Sequence, residues 1–288
     1  MPAYLLITNP FSGKGLSERK IARVVTLLAG RGAHVDIVRT RGSGDAERAV
    51  RERKHDYEAI IAAGGDGTVN EVVNGLAGER IPVGVIPRGT GNVLAHELDI
   101  PRTVGRAVKV ILAGKVLSLD AGLAGDRRFV LMASAGFDAQ VVSEAHRNRT
   151  RRFGYLSFII PMVRVLWRAR FPEIAIDMNG SKMTCRHVII ANVPGYGGPF
   201  RPAPYAIYND GELDVVMYQQ AGRWNMMRYG ALALFGSRAA RDDIIRMRCR
   251  RLRISSREAV KMQLDGDPAG ELPCTLRVLA DSVRIIVP

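Results

Sequence analysis

The chain has 288 residues, 47% hydrophobic and 24% charged, which supplies ordinary packed cores and excludes a disordered or low-complexity protein. At roughly 100–200 residues per domain, this length predicts two domains. The formal net charge of +14 attracts polyanions such as nucleic acid, nucleotides or an anionic membrane surface, although most basic residues are Arg and GC-rich coding alone accounts for that.

The opening run MPAYLLITNP has no basic leader and too short an apolar core for a signal peptide. It reads as a first strand, Ala3–Thr8, that stops at Asn9-Pro10. Residues 16–29 follow with helical spacing, Ile21, Val24, Val25 and Leu28 sharing one face. Residues 35–38 predict a second strand, and Asp45 is expected to cap a polar helix to about residue 54. The unbroken apolar run 59–63 predicts a strand buried on both faces. A helix over 69–76, a strand over 82–86 and helices over 92–98 and 103–112 complete this half. Strands alternating with helices predict an α/β domain with a doubly wound, mostly parallel sheet over residues 1–120.

Residues 121–288 have another character. Short β-like runs fall at 129–133, 174–178, 187–191, 213–218, 252–254, 260–264, 276–278 and 282–287. Turns at Asn179-Gly180 and Asp210-Gly211 separate some of them. Helical pieces fall at 154–169 and 224–237. This predicts a mostly antiparallel β-sandwich domain with inserted helices, with the last strand free to pack back on the first domain. The apolar stretch 155–167 is broken by Pro161 and Arg164 and falls short of the ~20 residues that span a bilayer. Cys185, Cys249 and Cys274 match no metal or redox spacing, and a reduced, cytoplasmic setting suits them. Ligands of open α/β sheets bind at the carboxyl ends of strands, so a cleft between the two halves is the expected place for chemistry.

Three glycine-bearing loops each follow a predicted strand: NPFSGKG at 9–15, GGDGT at 64–68 and PRGTGN at 87–92. A strand, a glycine turn and a helix start aim free backbone N–H groups at an anion. Three such loops from neighbouring strands predict one phosphate site. It is not a Walker loop, since G-x-x-x-x-G-K-[ST] is absent, and Leu94 stands where a dinucleotide fingerprint needs its third glycine. Asp66 between glycines would repel phosphate unless a cation intervenes or it serves as a base, so a Mg²⁺-bridged nucleotide is expected. Its other reading is a plain cap for a helix that starts at Thr68.

With these loops the chain resembles the catalytic family of diacylglycerol kinases, sphingosine kinases and their bacterial lipid-kinase relatives. The resemblance extends through YGGPFRPAP at 196–204, NDGELDVV at 209–216 and LDGDP at 264–268, in order along nearly the whole chain. It implies an ATP- and Mg²⁺-dependent kinase acting on a lipid hydroxyl, diacylglycerol-like or sphingoid. By resemblance, ATP is contacted by Asn9, Ser12, Gly13, Thr40, Gly65, Asp66, Gly67, Thr68, Val69, Asn70, Glu71 and Thr90. A structural Mg²⁺ is implied at the turn around Asp210, with the Asp210 side chain and the carbonyls of Ile207 and Glu212 as ligands. An Asp-Gly turn without metal is the alternative there. Asp267 aligns with the proton acceptor, and Asp66 and Asp265 are its rivals. The usual residue at the acceptor is Glu, one methylene longer, and Tyr205 replaces a small or acidic residue.

The basic runs at 146–153 and 246–253 are expected either to touch an anionic membrane or to be solvated faces. No recognition module for nucleic acid is visible. The competing functions are a kinase for a soluble acceptor of the NAD kinase type and a nucleotide-binding surface protein without turnover, which the shortened Asp267 favours.

Overall fold

The computed structural model describes residues 1–10, 16–147, 156–168, 170–178, 180–235 and 241–288. Two compact units are present: Met1–Leu119 with Asp281–Pro288, and Asp120–Ala280.

In the first unit the strands are β1 (Ala3–Thr8), β2 (His34–Arg39), β3 (Ala59–Gly64) and β4 (Val83–Pro87). They pair in parallel in the order β2-β1-β3-β4, and Ile285 near the chain's end pairs in parallel with Val83. Between them run α1 (Glu18–Ala29), α2 (Asp45–Arg53), α3 (Asp66–Leu76), α4 (Val93–Glu97) and α5 (Val104–Ala113). Ile21, Val24 and Leu28 of α1 join Ala107, Val108 and Ile111 of α5 over Leu6, Ile61 and Ile86 in one core. The alternate residues Leu5, Ile7, Ile60 and Ala62 are fully buried as well, because α2 and α3 pack together and α3 lies against β3. Burial on both faces is why 59–63 has no polar alternation.

Asp45 does not cap α2. Gly44 is the N-cap, and the Asp45 carboxylate instead accepts from the amides of Arg41 and Gly42 at 2.8 and 2.9 Å, closing the turn before the helix.

The second unit is a sandwich. One layer, all antiparallel, has the order β12 (Ile244–Cys249), β11 (Leu213–Tyr218), β10 (His187–Ala191), β7 (Met132–Ala135), β14 (Lys261–Leu264) and β15 (Asp267–Glu271). The other contains β13 (Arg251–Ser255) between β8 (Ile174–Met178) and the start of β16 (Cys274–Ile286), with β9 (Ser181–Cys185) beyond β8. β5 (Val116–Ala124) pairs with β6 (Arg127–Phe129) and with β16. Inward residues of both layers, among them Phe129, Ile176, Val188, Ile190, Val215, Met217, Ile254 and Leu276, form one core. Three helices complete the unit: α6 (Phe137–Arg147), α7 (Leu156–Arg168) and α8 (Arg223–Leu234). The sequence reading missed α6, whose buried side is Ala139, Val141, Val142 and Ala145, too small to raise a helical signal. It also missed β15, whose DPAGE sequence carries Pro and Gly and only one apolar side chain, that of Ala269.

Candidate active site

The parallel register sets the first unit's site. Thr8 pairs with both Arg39 and Ala63, and Gly64 pairs with Pro87. The chain therefore leaves β1, β2, β3 and β4 at Asn9, Thr40, Gly65 and Arg88 along one carboxyl edge. Thr40 is buried, its amide and hydroxyl both donating to the Thr8 carbonyl, at 2.9 and 3.3 Å. The Asn9 amide donates to the Ala63 carbonyl, and its side-chain nitrogen reaches Thr68 Oγ1 at 3.4 Å.

The second and third loops are built on each other. The amides of Arg88 and Gly89 both donate to the Gly64 carbonyl, at 2.8 and 3.3 Å. A Cβ on Gly89 would stand 2.5 Å from Gly65 Cα, and one on Gly64 would stand 2.3 Å from Thr68 Oγ1. Only glycine permits that approach. Asn92, in the left-handed region at φ 48°, ties the third loop by accepting from the Gly89 amide (2.8 Å) and donating to its carbonyl (2.6 Å).

Asp66 opens α3, where the helix dipole favours anions. Its carboxylate reaches across to the start of α4, accepting from the Leu94 amide at 3.2 Å. Burial raises its pKa above the ordinary carboxylate value, against the opposing pull of backbone amides at residues 92–94. The cap reading of Asp66 is thus replaced by a bridge between two loops.

Other expected contacts turn inward. Val69 and Asn70 are buried, and the Asn70 side-chain oxygen accepts from Asn74. Glu71 uses both carboxylate oxygens on the amides of Gly44 and Ala46, at 3.0 and 3.1 Å, fixing the start of α2. Gly67 follows Asp66 in the first turn of α3, and Thr90 is exposed at the tip of the third loop. Ser12 and Gly13 lie outside the described residues.

In the second unit the LDGDP turn separates its two aspartates. Asp265, at φ 49°, accepts from the amides of Val130, Leu131 and Met132 at 2.8, 2.9 and 2.9 Å. Both its oxygens hold structure. Asp267 begins β15, partly exposed, with His146 Nδ1 3.9 Å from Oδ1. A buried polar chain supports the turn. The Gly266 amide donates to Gln263 Oε1 (2.7 Å), Gln263 Nε2 to Ser134 Oγ (2.9 Å), and Ser134 Oγ to Asp138 Oδ2 (2.6 Å). Tyr196 also donates to Asp138, at 2.9 Å, and His187 lies 3.6 Å from it. Sequence reasoning found none of Asn92, Ser134, Asp138 and Gln263 as site residues. Only the place of Asn92, ending a glycine loop before a helix, carried a signal.

At the third expected site, Arg248 already stands beside Asp210. Its guanidinium lies 3.4 Å from Asp210 Oδ2 and 3.5 Å from Asp214 Oδ1, and donates to the Tyr205 carbonyl at 3.2 Å. Asp210 Oδ1 accepts from the Glu212 amide, and Asp120 accepts from the Gly211 amide. The carboxylate and the carbonyls of Ile207 and Glu212 are hard oxygens that suit Mg²⁺, but a cation there competes with Arg248. No cluster of three or more His, Cys, Asp or Glu able to hold a metal occurs among the described residues.

The diacylglycerol kinase catalytic domain matches residues 3–124, and the YegS C-terminal NAD kinase beta sandwich-like domain matches residues 131–287. The chain carries the catalytic domain of the diacylglycerol kinase family, joined to a YegS-type C-terminal domain. A diacylglycerol kinase of Bacillus subtilis (strain 168) is 29% identical over 98% of this chain and 95% of its own length. One of Staphylococcus carnosus (strain TM300) is 28% identical over 98% and 94%. A crystal structure of a diacylglycerol kinase from Bacillus anthracis str. Sterne is similar in fold, with a TM-score of 0.78 and 24% identity over 100% of this chain and 97% of the other. In this kinase the glycine loops of β3 and β4 belong to the catalytic domain, and the LDGDP turn to the sandwich domain.

Proposed function

We propose that this lipid kinase transfers the γ-phosphoryl group of ATP, with Mg²⁺, to the hydroxyl of a diacylglycerol-like or sphingoid lipid. The observation that carries the reading is the register that brings Asn9, Thr40, Gly65 and Arg88 to one edge, with the β3 and β4 loops in backbone contact. Such an edge, with the N-terminus of α3 facing it, suits the phosphates of a nucleotide.

Asn9, Thr40, Gly65, Gly67, Thr68 and Thr90 are assigned to ATP, with Ser12 and Gly13 assigned by sequence. Val69, Asn70 and Glu71 support the same wall from inside α3 and α2. Bound with the nucleotide beside Asp66, Mg²⁺ would supply positive charge against the negative charge that develops during transfer. Asp66 is assigned to orienting that charge at the mouth of α3. Asp267 is assigned to accepting the proton of the attacking lipid hydroxyl, at a turn that Gln263 and Asp265 hold in place. We assign the lipid to a membrane surface on the cytoplasmic side.

The acceptor class is tested with purified protein, γ-labelled ATP, Mg²⁺, and mixed micelles carrying single lipids, with NAD as a soluble competitor. Label in a diacylglycerol or sphingoid lipid supports the reading. Label in NAD, or in no lipid, overturns it.

The Asp210 turn carries a separate prediction. If Mg²⁺ binds there, Arg248→Met should make thermal stability rise with Mg²⁺ more steeply than in the parent, because the competing guanidinium is gone. Equal Mg²⁺ responses in both proteins would assign the turn to Arg248 alone.

A further inference from the structure

Two helices of the second unit leave large apolar side chains in solvent. On α7, Ile159, Ile160, Met162, Val163 and Trp167 are exposed, and the spacing of 159, 160, 163 and 167 lays four of them along one face. On α8, Trp224 is 70% exposed, with Met227 and Leu234 also exposed, and Phe235 just beyond the helix is 82% exposed. Opposite positions of α8 are apolar too: Met226, Gly230 and Ala233 line a cavity of about 120 Å³ with Tyr218 and Tyr229. The outer side of the helix is thus left uncovered by the described residues. Arg223 joins the two helices, its guanidinium 4.5 Å from the Trp167 ring and 6.0 Å from the Trp224 ring.

Charge identifies the cover. No acidic residue occurs between Glu144 and Glu173, a stretch holding seven Arg, nor between Asp214 and Asp242, which holds four. A protein partner with an apolar face does not require such a one-signed rim, whereas an anionic bilayer attracts it. Tryptophan, an apolar stripe and flanking Arg are the composition of a helix that lies in the headgroup layer. Among the described residues no helix is long and apolar enough to cross a membrane, so the contact is interfacial.

We propose that α7 and α8 form the face by which the protein settles on an anionic lipid surface, with Trp167 and Trp224 entering the headgroup layer and Arg168 and Arg223 meeting lipid phosphates, while Arg164 stands 3.9 Å from Glu144. This rests on the reading that the acceptor is a lipid, since it names how that substrate is reached.

The chain contains only two Trp, and both lie on this face. Intrinsic fluorescence therefore reports it alone. Vesicles of phosphatidylcholine with phosphatidylglycerol should shift the emission to the blue and bring down the protein in sedimentation, whereas phosphatidylcholine alone should do so weakly. Trp167→Ala with Trp224→Ala should lower vesicle affinity about tenfold or more. Arg168→Glu with Arg223→Glu should do the same while keeping both Trp. Both double variants should phosphorylate a short-chain, water-dispersed lipid at a rate within about twofold of the parent, because neither pair belongs to the site assigned above. Vesicle binding without a fluorescence change, binding unaffected by either double variant, or lipid-free dimerisation that buries the two Trp would overturn the proposal. Vesicle binding as expected with no lipid phosphorylated would overturn the assigned reaction and leave the docking face standing.

Discussion

Three carboxylates stand in glycine-rich turns of this chain, and each has different neighbours. Asp265 gives its oxygens to three amides in the left-handed turn that precedes β15. Asp265→Ala should cost about 3–5 kcal/mol, measured by urea unfolding, because three amides lose a charged acceptor. Asp66 lies partly buried between two loops, and burial raises its pKa above 3.8. The folded protein then holds a proton that the unfolded chain has released. Its contribution to stability is present below the unfolded value and is lost as pH rises through the folded one. Asp66→Asn keeps an acceptor for the Leu94 amide without the charge. Relative to the parent, its stability should improve progressively from about pH 4 upward, while lipid phosphorylation falls by about 100-fold or more. A parallel pair of stability curves would show that Asp66 is solvated like an ordinary surface acid. Asp267 is partly exposed at the start of β15, with His146 nearby. Asp267→Glu, one methylene longer with the same carboxylate, should retain activity.

At the scale of elements, the loops work because strands end in register. The apolar runs at 3–8, 59–63 and 82–86 made those strands legible, since a strand buried on both faces shows no other pattern. The glycines were legible as turns, but their reason was not. Gly89 is needed because Gly65 stands against it, and that neighbour is 24 residues away in sequence. Gly89→Ala should push the two loops apart, costing about 1–3 kcal/mol and weakening ATP binding in calorimetry. What the sequence hid is mostly polar and distant. Ser134, Asp138 and Gln263 meet through partners up to 129 residues apart, and no local spacing announces them. Arg248 was visible only as part of a basic run, although it neutralises Asp210 and Asp214.

At the scale of the molecule, a parallel α/β unit carries the glycine loops and an antiparallel sandwich carries the LDGDP turn. This change of character was plain from the spacing of strands and helices. The net charge of +14 was not interpretable by composition alone. It gains meaning on α7 and α8, where Arg223 stands over the rings of the exposed Trp167 and Trp224. In the proposed reaction the first unit holds ATP and Asp267 takes the proton of a lipid hydroxyl. The most direct test compares the parent with Asp267→Asn for labelled phosphate transfer to diacylglycerol at saturating ATP, alongside ATP affinity on the same samples. ATP affinity should stay within about threefold while transfer falls by about 100-fold or more. Undiminished transfer by Asp267→Asn would contradict the proposed reaction.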